Sequence, residues 1–266
     1  MSQTMTAGEK GGLIKPAKKE HNSFVFVAPA FNACETLPRM LYSLAGQSYN
    51  DWSVILIDDV SNEHHRKATI DCVERFNELM YVTHGDTIGR VSLILNDEKK
   101  WEVANVLTGI SMCKDDDIVC RIDADDWLTD LDALTYIDAV YAATGVDALW
   151  TAHRWAFTDK NISGPIPPGS DPYKHPWVSS HLKTFRKRLL NGVNDENYRG
   201  EDGNYIRRAG DQAIYLPALH NATKWGFVPR CMYHYTIKDV PETYQTPDAR
   251  FQRDEALFLR ARGYVK

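Results

Sequence analysis

Ile118-Val119-Cys120-Arg121-Ile122-Asp123-Ala124-Asp125-Asp126 is the stretch on which the reading of this chain turns. A mostly apolar run leads without a turn residue into three carboxylates. Such a run reads as a strand buried on both faces. Aspartates do not gather in a core without partners, so 123–126 must stand at the strand's carboxyl end, facing a crevice. In sheet enzymes, carboxylates so placed hold a hard divalent cation and, through it, phosphates.

Working outward, the same pattern recurs upstream. Phe24-Val25-Phe26-Val27-Ala28 is closed by Pro29, Ser53-Val54-Ile55-Leu56-Ile57 runs into Asp58-Asp59, and Val91–Leu95 is a third apolar run. Between the runs, apolar residues recur at helical spacing: Leu37, Met40, Leu41 and Leu44; Ile70, Val73, Phe76 and Met80; Trp101, Ala104, Leu107 and Ile110. Leu131, Leu134, Ile137 and Val140 mark a fourth helix, and Asp147–Thr151 a further strand. Strand and helix alternate to about residue 151, which predicts an α/β fold with a mostly parallel sheet flanked by helices. Ligands of such sheets bind beyond the strand ends. Pro29-Ala30-Phe31-Asn32, Asp58-Asp59 and Asp123–Asp126 should therefore open onto one crevice.

After residue 151 the texture changes. Residues 160–177 carry five prolines and two glycines, and read as a loop that can act as a lid. His181, Lys183 and Arg186 form a basic patch around Phe185. Their cations could meet a leaving diphosphate as the loop closes, or simply line a solvated helix face. Asp211–Leu219 looks helical up to Pro217, Cys231–Tyr235 reads as a short strand, and Ala249–Arg262 as a charged amphipathic helix. Residues 1–22, rich in Gly, Lys, Thr and Ser, read as a disordered leader. The 266 residues suit one large domain, and a net charge of −5 argues against a generally basic nucleic-acid binder. No apolar run approaches the roughly 20 residues that span a bilayer. Five cysteines without a C-x-x-C pair fit reduced thiols in a cytoplasmic protein.

With Pro29-Ala30-Phe31-Asn32, Leu37 through Leu44, Gln47-Ser48-Tyr49 with Trp52, Val54–Asp59 with Ser61, and Asp123-Ala124-Asp125-Asp126 in this order, residues 24–150 resemble glycosyltransferase family 2. The resemblance implies the GT-A fold, a Rossmann-like sheet that binds a nucleotide-sugar. Residues 23–151 would be the donor half and 152–266 the acceptor half of one domain. It implies a UDP-sugar donor and a Mn²⁺ or Mg²⁺ ion. Asp59, with Asp58 beside it, would read the base, and Pro29, Phe31 and Asn32 would shape its pocket. Asp125 would hold the metal, Asp123 the ribose or the metal, and Ala124 would lie against the nucleotide. His234 would complete the metal shell; on the residues alone it is as well read as a hydrogen-bonded histidine on a half-buried strand.

An inverting transferase needs a base to deprotonate the acceptor hydroxyl. The family places an acidic residue there, often in a Glu-Asp pair at a helix start. Gly210-Asp211-Gln212 is the best match and names Asp211, without the preceding glutamate. Asp211 as a plain helix cap is the other reading. The acceptor would be a carbohydrate. Alternatives are a modified nucleic-acid base, with Lys183, Arg186, Lys187 and Arg188 on phosphates, or a non-catalytic nucleotide-binding protein.

Overall fold

A computed structural model describes residues 21–156, 158–236 and 246–266. All but the last two residues of the expected leader lie outside these. Eight strands and six helices follow in the order β1 (Phe24–Ala30), α1 (Leu37–Ala45), β2 (Trp52–Asp58), α2 (Glu63–His84), β3 (Val91–Leu95), α3 (Trp101–Ser111), β4 (Ile118–Arg121), β5 (Trp127–Leu128), α4 (Ala133–Thr144), β6 (Ala148–Trp155), β7 (Lys183–Arg186), α5 (Gly210–Asn221), β8 (Trp225–Tyr235) and α6 (Pro247–Arg262). One sheet joins them in the order β3-β2-β1-β4-β7-β6-β8-β5. The pairs β3-β2, β2-β1, β1-β4 and β6-β8 are parallel, and β7 lies antiparallel to both of its neighbours.

Strand β1 explains the layering. Its side chains alternate, so Phe24, Phe26 and Ala28 enter one core with Leu37, Met40, Leu41 and Leu44 of α1. Val25 and Val27 enter a second core with Val103, Val106 and Ile110 of α3 and Ala213 and Ile214 of α5. A strand covered on both faces reads as unbroken apolar sequence, as 24–28 does.

Helix α3 occupies the expected span on a rotated face. Val103, Val106, Gly109 and Ile110 are buried, whereas Trp101 is exposed. Gly109 lets the helix approach the sheet: a Cβ there would lie 2.6 Å from Val27 Cγ1. Gly109→Ala should lower stability by about 1–3 kcal/mol, the range for overpacking a tight core. A urea midpoint unchanged from the native protein would contradict this close approach.

Two other expectations are corrected. Residues 183–186 form strand β7, not a helix face, inserted between β4 and β6. Helix α5 continues past Pro217 to Asn221. A proline there forfeits one backbone bond, while the buried neighbours Leu216, Ala218 and Leu219 keep the last turn packed.

Candidate active site

The sheet brings three strand ends to one cleft, as the sequence predicted. Pro29, Ala30 and Phe31 after β1, Asp59 after β2, and Asp123 and Asp125 after β4 all line it. Its volume is about 560 Å³, and Lys99, Trp101, Glu102, Asn105, Arg121, Arg207 and Arg208 complete the wall. Phe31 and Trp101 keep exposed rings here, and Lys99 Nζ sits 3.2 Å from the centre of the Phe31 ring. Flat apolar faces with a cation between them suit an aromatic base.

Asp59 is buried, and its carboxylate accepts the N–H groups of Lys100 at 2.8 Å and Trp101 at 3.0 Å. Asn96 Nδ2 donates to it at 3.0 Å, and Lys99 lies 3.6 Å away. Burial opposes its charge, but these hydrogen bonds hold it below the usual carboxylate range. Asp59 thus fastens the start of α3 to the end of β2, at the cleft wall. Its neighbour Asp58 is fully buried and accepts from Ser61 N–H at 3.1 Å. Asn32, at a φ of 51°, accepts from Asn62 N–H, and its own N–H donates to Ser61 Oγ. Asp58 and Asn32 therefore shape the turns after β2 and β1 and are not among the residues lining the cleft. Ala124 is buried too, and its carbonyl accepts from Thr36 Oγ1.

The aspartates after β4 divide. Asp126 is buried and takes the Tyr233 hydroxyl at 2.6 Å and Thr236 N–H at 2.7 Å. Burial, then Asp123 and Asp125, push its carboxyl well above the usual range. Asp123 is bound at 2.7 Å by Arg121, which also grips Glu102 at 2.7 Å. Burial opposes the charge of Arg121, but Asp123, Glu102 and Asp211 hold it cationic. Burial pushes Glu102 up to about 7, with Asp211 and Asp123 adding to it and Arg121 offsetting it in part. Magnesium-like ions are commonly held by one or two carboxylates plus substrate phosphates. Asp125 with Asp123 fits that donor set, and Asp126, with both oxygens engaged, does not.

His234 does not join them. Among the described residues no three His, Cys, Asp or Glu side chains converge as a metal cage. The His234 ring stacks on Trp127 at 3.7 Å, in register across the β5–β8 pair, and Arg39 also lies 3.7 Å from the Trp127 ring centre. Packing orients this ring, and His234 is not among the residues that line either cleft.

A second cleft of about 700 Å³ adjoins the first, and Asp125 and Arg208 line both. Trp155, Trp177, His181, Asp211, Tyr235 and the α6 residues Gln252 and Arg253 are among its walls. Asp211 stands in the first turn of α5. Its Oδ1 lies 2.8 Å from Lys183 Nζ and its Oδ2 3.7 Å from His181 Nε2. Burial opposes its charge, yet Lys183, His181 and Arg121 hold it well below the ordinary range. His181 is stacked against Tyr233 and Tyr235, each at 4.8 Å, and burial with Lys183 beside it keeps its ring neutral.

The expected basic patch is dispersed. Lys183 has 1% of its side chain exposed and is committed to Asp211, so it cannot serve as an open cation for a diphosphate. Arg186 is at the other end of β7, opposite Ile118, where it donates to the Asp116 carbonyl. Lys187 pairs with Asp115, and Arg188 with Asp116 and Asp147. The cations lining the first cleft are instead Lys99, Arg121, Arg207 and Arg208, with Lys99 beside Asp59, Arg207 beside Asp202 and Arg208 paired with Asp248. The segment carrying the two arginines is held by Glu255 of α6, whose carboxylate accepts the N–H groups of Arg207, Arg208 and Ala209 at 2.9, 2.8 and 3.1 Å. Arg207-Arg208 lies just before a helix bearing Asp211, and that adjacency is the signal sequence reading passed over. Glu102 and Arg121 carried no such signal.

Known proteins with the same architecture agree with this geometry. The structure is similar to TarS of S. aureus in complex with UDP, with a TM-score of 0.61 at 17% identity over 88% of this chain and 65% of that one. It is also similar to the mannosyltransferase PcManGT of Pyrobaculum calidifontis in complex with GDP-Man and Mn²⁺, with a TM-score of 0.58 at 18% identity over 94% and 67%. In sequence it is 33% identical over 104 residues to the amylovoran biosynthesis glycosyltransferase AmsB of Erwinia amylovora, a match covering 39% of this chain and 31% of that relative. The family model of glycosyl transferase family 2 matches residues 25–192, more than half of the chain. With the three strand-end signatures gathered in one cleft, the chain belongs to glycosyl transferase family 2 and carries its GT-A fold.

Proposed function

We propose that the protein is an inverting, metal-dependent transferase that moves a hexose from a UDP-sugar to an acceptor hydroxyl. The observation that carries this reading is the pair of clefts meeting at Asp125, with the strand-end donor residues on one side and Asp211 on the other. A divalent cation held by Asp125 and Asp123 would stabilise charge on the leaving diphosphate. Arg207 and Arg208 would face the same developing charge. In the second cleft, Asp211 accepts the acceptor's proton as its oxygen attacks the anomeric carbon. The new carbon–oxygen bond forms on one face as the bond to phosphate breaks on the other, and the electron pair leaves with the nucleoside diphosphate. Attack from the opposite face gives inversion. Because Asp211 is held below its ordinary range, its protonation does not limit transfer above about pH 4.

Release of free nucleotide, measured with Mn²⁺ against a panel of UDP- and GDP-sugars, is the direct test. A panel in which no donor is bound or hydrolysed would sink the reading. Asp211→Asn should cut transfer about 100-fold or more, the scale of a lost general base, while leaving donor affinity within about twofold. Transfer that survives this change would place the base elsewhere. A carbohydrate acceptor is favoured over a nucleic-acid base because Lys183, Lys187 and Arg188 are paired with carboxylates and Arg186 lies at the far end of its strand. Trp155, Trp177 and Tyr235 in the second cleft offer the faces on which sugar rings stack.

A further inference from the structure

Gly210 and Glu102 occupy one another's space. A Cβ on Gly210 would lie 2.6 Å from both carboxylate oxygens of Glu102, so no side chain fits at the start of α5 while Glu102 holds its place. A carboxylate from α3 fills the volume that a side chain at position 210 would take.

The placement of Glu102 is fixed. Arg121, fully committed on the cleft floor, holds Glu102 Oε1 at 2.7 Å and donates a second bond to the Ile122 carbonyl at 2.6 Å. Among the described residues no hydrogen bond is made to Glu102 Oε2, and a quarter of the side chain remains open. Glu102 lies in the wall of the first cleft, against Gly210 at the start of α5 and across Arg121 from Asp123. The transferred sugar must lie between the diphosphate at Asp125 and the base at Asp211. A carboxylate with one anchored and one open oxygen is a directional acceptor for hydroxyl donors.

Resting on the donor assignment above, we infer that Glu102 reads hydroxyl groups of the transferred sugar, and that Gly210 is glycine to admit it. Glu102 then separates one hexose from another, and the nucleotide is gripped elsewhere.

Calorimetric titration of the full chain with Mn²⁺ at pH 8, where Glu102 is ionised, distinguishes the sugar from the nucleotide. The probes are UDP itself and UDP-glucose, UDP-galactose and UDP-N-acetylglucosamine. The native protein should bind one UDP-sugar more tightly than UDP. Glu102→Gln, nearly isosteric, should hold its affinity for UDP within about twofold and lose about tenfold or more for that UDP-sugar, the scale of one hydrogen bond to a charged group. The paired change Glu102→Ala with Gly210→Glu, which places a carboxylate in the same volume from α5, should recover part of the lost preference. If Glu102→Gln weakens UDP and UDP-sugar equally, Glu102 serves only to hold Arg121 and Asp123, and the inference fails while the donor assignment stands. A sugar preference unchanged by Glu102→Gln overturns the inference in the same way. A native protein that does not distinguish any sugar from UDP overturns the inference, and one that binds none of the four overturns the donor assignment as well.

Discussion

Lys183→Met lowers the stability of the folded protein by about 3–5 kcal/mol, the cost of stranding one member of a buried ion pair. Lys183 is almost wholly buried, and its ammonium is 2.8 Å from Asp211. Methionine keeps the volume and removes the charge, which leaves the Asp211 carboxylate in a low-dielectric site beside a neutral His181. The pH dependence has a definite sign. The folded-state pKa of Asp211 is depressed, so its contribution is present above its unfolded value of about 4 and is lost as pH falls through the lower folded value. The deficit of the variant should therefore be largest at neutral pH and shrink under acid. Asp211→Asn in the same chain should recover most of it, since the stranded charge is then gone. Urea unfolding of native, single and double variants at pH 7 and at pH 3, below the unfolded value, measures all of this. Equal deficits at the two pH values would mean that Lys183 acts through packing alone.

Asp125→Ala should reduce transfer by three orders of magnitude or more, roughly what mutation of an electrostatic centre at a leaving group costs. Asp125 lines both clefts, so in the proposed role its loss would remove metal affinity and the alignment of donor with acceptor together. It is only half-buried at a strand end, and the fold should tolerate the change within about 1 kcal/mol. Retained transfer, or a donor affinity insensitive to Mn²⁺ in the native protein, would remove Asp125 from the proposed role.

The fold up to about residue 151 was legible because its strands are covered on both faces and its aspartates stand where apolar runs stop. Phe24–Ala28 and Ile118–Ile122 could hardly be anything but interior strands. Beyond residue 151 the signals mislead for physical reasons. Strand β7 hides because Lys183, which points inward to a carboxylate far along the chain, breaks the apolar period that a strand would show. Asp58 and Asn32 look like ligands from their company, yet their oxygens accept backbone N–H groups in tight turns. His234 has the right chemistry for a metal, but it stacks on Trp127 and is not among the residues lining either cleft. Glu102 was invisible because nothing local marks it. Its meaning comes from Gly210, more than a hundred residues away, and from the space that only a glycine leaves.

The three N–H groups gathered by Glu255 make α6 and the Arg207–Ala209 segment a single mechanical piece. One face of that piece is Ala249, Gln252, Arg253 and Ala256 in the second cleft; the other presents Arg207 and Arg208 to the first. The walls of the two clefts are thus tied through one carboxylate, so a displacement of the C-terminal helix at Glu255 would bear on both.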